Sequence, residues 1–250
     1  MASKKKEKMK EQQLKLTNID SFELKDIFEC GQCFRWNKQK DNSYTGVFKG
    51  NVLNIKKENQ DIIIKGLCKN DIKSTVEEYF DLKTDYKKIK QTLSKIDQNM
   101  ETSIKYGQGI RLLNQDLWET IISFIISAKN NIPRINGIIE KLCKKYGNEI
   151  KWNGEKYYTF PTPEQLQNVT VQEYRNLGLG FRDKRIYETT KIILEKKVDL
   201  KAMQENPNTL EIREQLLTLP GVGPKVADCI LLFSTLKSSS FFFCAWNHAA

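Results

Sequence analysis

Over the first third of the chain, apolar residues fall in short β-prone runs separated by turn residues. Cys33-Phe34-Arg35-Trp36 and residues 43–49, 52–56 and 62–65 follow one another, with Lys-Asn-Asp stretches and Gly50 between them. This pattern predicts a small antiparallel sheet of meander type over residues 20–68. Residues 71–82 switch to helical spacing, and from residue 98 onward the period is helical throughout. Asp116 is placed to cap a helix carrying Leu117, Ile121, Phe124 and Ile125. Pro133 opens the next helix, whose stripe of Ile135, Ile138, Ile139, Leu142, Cys143 and Tyr146 closes at Gly147. One helix ends at Leu177-Gly178 and another covers residues 183–196. The expected fold is α+β, an N-terminal antiparallel β-sheet domain followed by an all-α body. The expected divisions are a basic disordered tail (1–18), a sheet-bearing domain (19–97) and a helical domain (98–250) whose C-terminal part is incomplete.

Composition narrows the partners more than the fold. Of 250 residues, 39% are apolar and 29% charged, the balance of a soluble globular protein. No run approaches the roughly 20 apolar residues that span a bilayer. The opening MASKKKEKMKE has no apolar stretch behind its charges and does not read as a signal peptide. A soluble, intracellular protein is therefore expected, with no membrane partner. Lys plus Arg exceed Asp plus Glu by 41 to 31, a net charge of +10. Such a surplus suits a polyanion, because each neutralised phosphate releases counterions, although a lysine-rich composition alone does not establish it. The six cysteines are scattered and read as thiols rather than disulfides. Cys30-Gly31-Gln32-Cys33 has no second pair to complete a metal site, and His248 is the only histidine. The four closely spaced cysteines of an iron–sulfur cluster are also lacking, so no metal and no cofactor is expected.

The most informative stretch is Leu219-Pro220-Gly221-Val222-Gly223-Pro224-Lys225-Val226-Ala227-Asp228-Cys229-Ile230. Helical periodicity over 209–219 stops at Pro220, Gly221-Val222-Gly223 makes a tight turn, and Pro224 starts the next helix. Two helices joined this way present backbone N–H groups at a helix N-terminus, a geometry that suits a phosphate. An ordinary helix–turn–helix corner would read the same. Lys225 lies in the first turn of the second helix. The electropositive helix end opposes protonation of a nearby amine, and a neutral amine is what attack on a sugar carbon requires. Taken alone, a lysine here fits a phosphate contact better than a nucleophile. Cys229, four residues on, shares its helix face and reads either as a pocket wall or as a small core thiol.

This stretch resembles the helix-hairpin-helix signature of the 8-oxoguanine DNA glycosylase/AP lyases. Three further segments, in the same order, resemble that family too. Gly31-Gln32-Cys33-Phe34-Arg35-Trp36 is similar to the segment whose glycine carbonyl reads the N7 hydrogen of 8-oxoguanine. Residues 127–134 (Ser-Ala-Lys-Asn-Asn-Ile-Pro-Arg) are similar to the asparagine-rich turn that fills the gap left by a flipped base. Residues 177–182 (Leu-Gly-Leu-Gly-Phe-Arg) are similar to the loop that bears an aromatic wedge. The resemblance implies that Lys225 attacks C1′ of the damaged nucleotide and forms a Schiff base. It implies that Gly31 reads the lesion, Cys229 stacks on the extruded base, and Asn130 and Arg134 address the orphaned cytosine. Phe181 is then the wedge, and Gly221, Gly223 and Val226 supply phosphate-binding amides. Lys129, Asn131 and Arg182 fall at the same DNA face, with Lys129 where the family often has asparagine. The implied partner is damaged double-stranded DNA, bound by a monomer. A base must leave the stack before its glycosidic bond can be reached, which gives each role a physical purpose.

The pattern departs from the family near its end. Where the family has an aspartate within F-P-V-D, this chain has Cys244, and Phe242 replaces the proline. A thiol carries no permanent charge at neutral pH. The family's further C-terminal helical segment has no counterpart here. On these grounds the sequence predicts weak or no base excision. Two other readings stay open: a glycosylase for other lesions, and a DNA-binding module without catalysis.

Overall fold

The computed structural model describes residues 9–235. It resolves into two compact units, the first from residues 9–30, 36–112 and 150–157, the second from 31–35, 113–149 and 158–235.

The first unit is built on a five-stranded antiparallel sheet in the order β1-β5-β4-β3-β2. Its strands are β1 (Lys10–Thr17), β2 (Trp36–Lys38), β3 (Tyr44–Phe48), β4 (Asn51–Glu58) and β5 (Asp61–Cys68). The β3–β4 register pairs Phe48 with Asn51, leaving Lys49 (φ 46°) and Gly50 (φ 74°) as a two-residue turn with both residues left-handed. Val52, Leu53, Ile55, Ile62 and Ile64 are buried in the sheet's centre. Phe28, on the short helix α1 (Leu24–Phe28), stacks on Trp36 at 4.4 Å between centroids. The Trp36 Nε1 donates to the Tyr79 hydroxyl at 3.0 Å. Tyr79 ends α2 (Ile72–Tyr79), whose Asp71 cap accepts from the Ser74 N–H. Helices α3 (Tyr86–Leu93) and α4 (Gln98–Tyr106) also belong to this unit, so the division expected at 97/98 falls inside it; the chain changes unit at 112/113 instead.

Three strands correct the sequence reading. Residues 10–17, expected as part of a disordered tail, form edge strand β1, paired with β5 from Lys10↔Cys68 to Thr17↔Asp61. Only Gln12, Leu14 and Leu16 turn inward, too thin an apolar signal to announce a strand. A hairpin of β6 (Glu149–Trp152) and β7 (Glu155–Tyr158) interrupts the half expected to be helical throughout. Its Asn153-Gly154 turn (φ 54° and 80°) is the strongest short hairpin signal a sequence carries.

The second unit is helical. Helix α5 (Leu117–Ser127) is capped by Asp116, which accepts from Glu119 N–H at 2.9 Å. Helix α6 (Ile132–Tyr146) starts one residue before Pro133 and buries Ile135, Ile138, Ile139, Leu142 and Cys143, the stripe its sequence predicts. Burial pushes the Cys143 thiol up to about 12. Helices α7 (Pro163–Leu166) and α8 (Val171–Asn176) open with capping boxes at Thr162 and Thr170. There follow α9 (Asp183–Leu194), α10 (Leu200–Glu205), α11 (Thr209–Leu217) and α12 (Pro224–Ile230), around a core that includes Phe34, Leu117, Ile121, Leu216 and Ile230.

Candidate functional site

The turn between α11 and α12 is built from backbone. Gly221 is left-handed at φ 89°, and a Cβ placed there would come within 2.7 Å of the Arg185 side chain. Val222 is buried and donates its N–H to the Leu219 carbonyl at 3.0 Å, which closes the turn. Gly223 stands at the N-cap of α12 with no side chain to bond the first amides. Gly223, Pro224 and Lys225 are exposed, and Val226 is half-buried. Lys225 makes no hydrogen bond or ion pair among the described residues. Cys229, one turn later, is half-buried and packs at the edge of the core. Asp228, between them, is buried and accepts from Arg213 Nε on α11 at 2.7 Å. That pair fastens the two helices of the hairpin. Its signal in the sequence was a lone acid within the buried face of α12.

The Gly31 segment reaches into the same unit. Gly31 is left-handed at φ 85°, and its α-carbon faces open space, whereas Gln32 is 1% exposed. The Gln32 Oε1 accepts from Leu113 N–H at 3.0 Å, and its carbonyl accepts from Gln115 Nε2 at 2.6 Å. Gln115 N–H donates in turn to the carbonyl of Phe233, at 3.0 Å, just past α12. The Gly31 backbone is therefore tied, through two glutamines, to the chain that follows the Lys225 helix. Deeper in, Arg35 donates to the Tyr158 carbonyl and lies 3.7 Å from the Glu119 carboxylate. Burial drives the Glu119 carboxyl up to about 7, with Arg35 opposing the shift. Sequence periodicity does not reveal these partners, since each bond joins distant residues.

The remaining predicted residues gather on a turn and a loop. Between α5 and α6, Lys129 is exposed and left-handed (φ 51°). Asn130 donates its Nδ2 to the Ile126 carbonyl at 3.1 Å. Asn131 caps α6, its Oδ1 accepting from Arg134 N–H at 3.0 Å. The loop between α8 and α9 bends at Gly178 (φ 94°) and Gly180 (φ 57°) and leaves Phe181 53% exposed. Arg182, by contrast, is 3% exposed. Its Nε and Nη2 donate to the Ala128 carbonyl, its Nη2 also to the Lys129 carbonyl at 2.9 Å, and its Nη1 to the Leu179 carbonyl at 3.2 Å. Exposed Arg134 crosses the other way, to the Gly178 carbonyl at 3.3 Å. Two arginines thus hold the turn and the loop together. Of the two residues also expected at the DNA, exposed Asn131 bonds the first turn of α6 and buried Arg182 bonds loop carbonyls. Burial, with Arg134 and Arg185 nearby, holds the Arg182 guanidinium below its usual range. Among the described residues no group of three His, Cys, Asp or Glu side chains is placed to hold a metal. Cys244 and Phe242 lie outside the described residues.

Comparison with known proteins adds to this geometry. Residues 14–121 match the family model for the 8-oxoguanine DNA glycosylase N-terminal domain, and residues 122–231 match that for HhH-GPD superfamily base excision DNA repair proteins. The N-glycosylase/DNA lyase of Saccharomyces cerevisiae is 34% identical over 84% of this chain and 62% of its own length. The chain spans about three fifths of the length of the curated relatives it matches. Among solved structures, the apo-form of Clostridium acetobutylicum 8-oxoguanine glycosylase/lyase is 39% identical. It superposes with a TM-score of 0.87 over 93% of this chain and 81% of that one. The same enzyme in complex with dsDNA containing cytosine opposite 8-oxoG superposes at 0.88 over 93% of this chain and 80% of that one.

Proposed function

Because the chain belongs to the 8-oxoguanine DNA glycosylase family of the HhH-GPD superfamily, we propose that it acts in base excision repair. In this reading it removes 8-oxoguanine paired with cytosine from duplex DNA and then nicks the strand as an AP lyase. The observation that carries the reading is Lys225, an exposed amine in the first turn of α12, directly after the Gly221-Val222-Gly223 turn. The Lys225 Nζ lone pair forms a bond to C1′ as the glycosidic bond breaks, and the departing base takes the bonding electrons and a proton. Opening of the sugar leaves a Schiff base, which acidifies the C2′ proton and permits β-elimination of the 3′ phosphate. The lysine chemistry needs no metal or organic cofactor.

The other groups bind and sort the substrate. Backbone amides of Gly221, Gly223 and Val226 hold a phosphate beside the lesion. The Gly31 carbonyl accepts the N7 hydrogen that guanine lacks, and Cys229 flanks the extruded base. Phe181 wedges the stack while Asn130 and Arg134 meet the cytosine left behind, with Lys129 adding charge. Asn131 and Arg182 serve this face by fixing its two loops. The test is borohydride trapping on a duplex carrying 8-oxoguanine opposite cytosine, with Lys225→Gln alongside. A covalent adduct that disappears in the variant supports the reading and overturns the weak or absent excision expected from Cys244. Duplex binding without an adduct would overturn the catalytic part and leave a DNA-binding module.

A further inference from the structure

Arg185 was not singled out by any motif, and its position is unusual for a charged residue. It lies in the first turn of α9, half-buried. Its aliphatic stem packs on Gly221, where a Cβ would meet its Cδ at 2.7 Å and its Cβ and Cγ at 3.4 Å. Its guanidinium carbon lies 5.1 Å from the centroid of the Phe181 ring, with Arg182 against the same ring at 4.2 Å. Four residues along α9, the Thr189 hydroxyl reaches the Pro220 carbonyl at 3.4 Å, so this face of α9 is seated on the hairpin turn. Yet the Arg185 guanidinium makes no hydrogen bond or ion pair among the described residues. Asp183, on the same helix, is already taken by Arg175 at 2.7 Å. The charges bearing on Arg182 are those of Arg134 and Arg185, both positive.

A half-buried guanidinium held between an aromatic ring and a glycine turn, with other arginines close by, lacks a counter-anion. Arg134, Arg182 and Arg185 raise the local potential together, and an anion that binds there relieves their mutual repulsion. We propose that Arg185 is a DNA-binding residue whose guanidinium contacts a backbone phosphate of the duplex between the hairpin turn and Phe181. The proposal rests on the glycosylase reading above and adds a contact to it. Gly221 is what lets the stem lie close enough, and the Phe181 ring limits where the planar group can turn. Arginine suits this place better than lysine, because its flat group stacks and donates at the same time.

The experiment is a salt series of duplex affinity, read by fluorescence anisotropy on an undamaged duplex and on one with a tetrahydrofuran abasic site. Arg185→Met keeps the stem against Gly221 and removes the charge. Each phosphate contact contributes about 0.9 to the slope of log affinity against log salt. The expected result is a slope shallower by about that amount on both duplexes, with affinity near 0.1 M salt down roughly tenfold. Arg185→Lys is expected to recover the slope. An Arg185→Met protein with wild-type slope and affinity would overturn the proposal and leave Arg185 as packing. Failure of the wild-type chain to bind either duplex would overturn the glycosylase reading as well, which separates the two cases. Should the methionine variant lose its thermal transition, Arg185→Gln supplies the same comparison.

Discussion

The α11–α12 hairpin and the paired turn and loop at residues 128–134 and 177–182 reach out from the same helical unit by opposite means. The hairpin is shaped by backbone: a left-handed Gly221, a bare Gly223 at the cap, and Pro224 in the first helical turn. One side-chain pair, Arg213–Asp228, fastens it from within. The turn and loop are shaped by side chains: Arg182 bonds three carbonyls, and Asn130, Asn131 and Arg134 each bond backbone. Where backbone alone shapes the turn, the exposed Lys225 side chain carries no part of its structure. Where side chains hold the backbone, a buried one such as Arg182 is committed before any ligand arrives, while exposed Arg134 makes a single backbone bond.

That contrast predicts different losses. The largest is Lys225→Gln, expected to reduce trapping on the order of a thousandfold or more while the thermal midpoint stays put, because the amine is exposed and makes no bond among the described residues. A large fall in the midpoint would break the comparison. Arg182→Ala is expected to do the reverse, losing about 2–4 kcal/mol of stability in urea unfolding by orphaning carbonyls of Ala128, Lys129 and Leu179. A variant of unchanged stability would show that the loops stand without it.

The support of the Gly31 segment extends the test to pH. Glu119 is raised to about 7 by burial, so the folded protein holds this proton over a range where the unfolded chain, near 4.5, has released it. The contribution of Glu119 is therefore fully present below about pH 4.5 and is lost as pH rises through about 7. Wild-type stability should gain about 1–3 kcal/mol from this group between pH 7 and 5, and Glu119→Gln should flatten that portion of the curve. An unchanged profile in the variant would remove Glu119 as its source. The smallest effect is at Gly221→Ala. The left-handed φ and the approach of Arg185 together cost about 1–2 kcal/mol. The same variant should also weaken duplex binding by displacing the Arg185 stem, and full affinity would argue that the turn relaxes freely.

Much of the frame could be read one segment at a time. The Asp116 cap, the α6 stripe, the β3–β4 turn and the Gly221-Val222-Gly223 corner each depend on residues within a turn or two of each other, so local spacing reveals them. Strand β1 escaped because its inward face is two leucines and a glutamine, and its place depends on pairing with β5. The β6–β7 hairpin was legible at Asn153-Gly154 and was submerged in the helical periodicity on either side.

Charged and polar side chains divide along the same line. That Lys225 follows a glycine turn at a helix start is a property of twelve consecutive residues, 219–230, and the family resemblance of that stretch is what makes it a candidate for the attacking amine. Which arginines are committed to the protein and which still carry an unanswered charge depends on the fold. Arg182 meets Ala128 across 54 residues of chain, and Arg35 meets Tyr158 across 123. Arg185, three residues beyond Arg182, packs on Gly221 and keeps its charge unanswered among the described residues. A guanidinium's fate turns on whether carbonyls, a carboxylate or solvent surround it. Those neighbours are assembled by packing between helices, a long-range outcome that hydrophobic periodicity constrains without naming the partners.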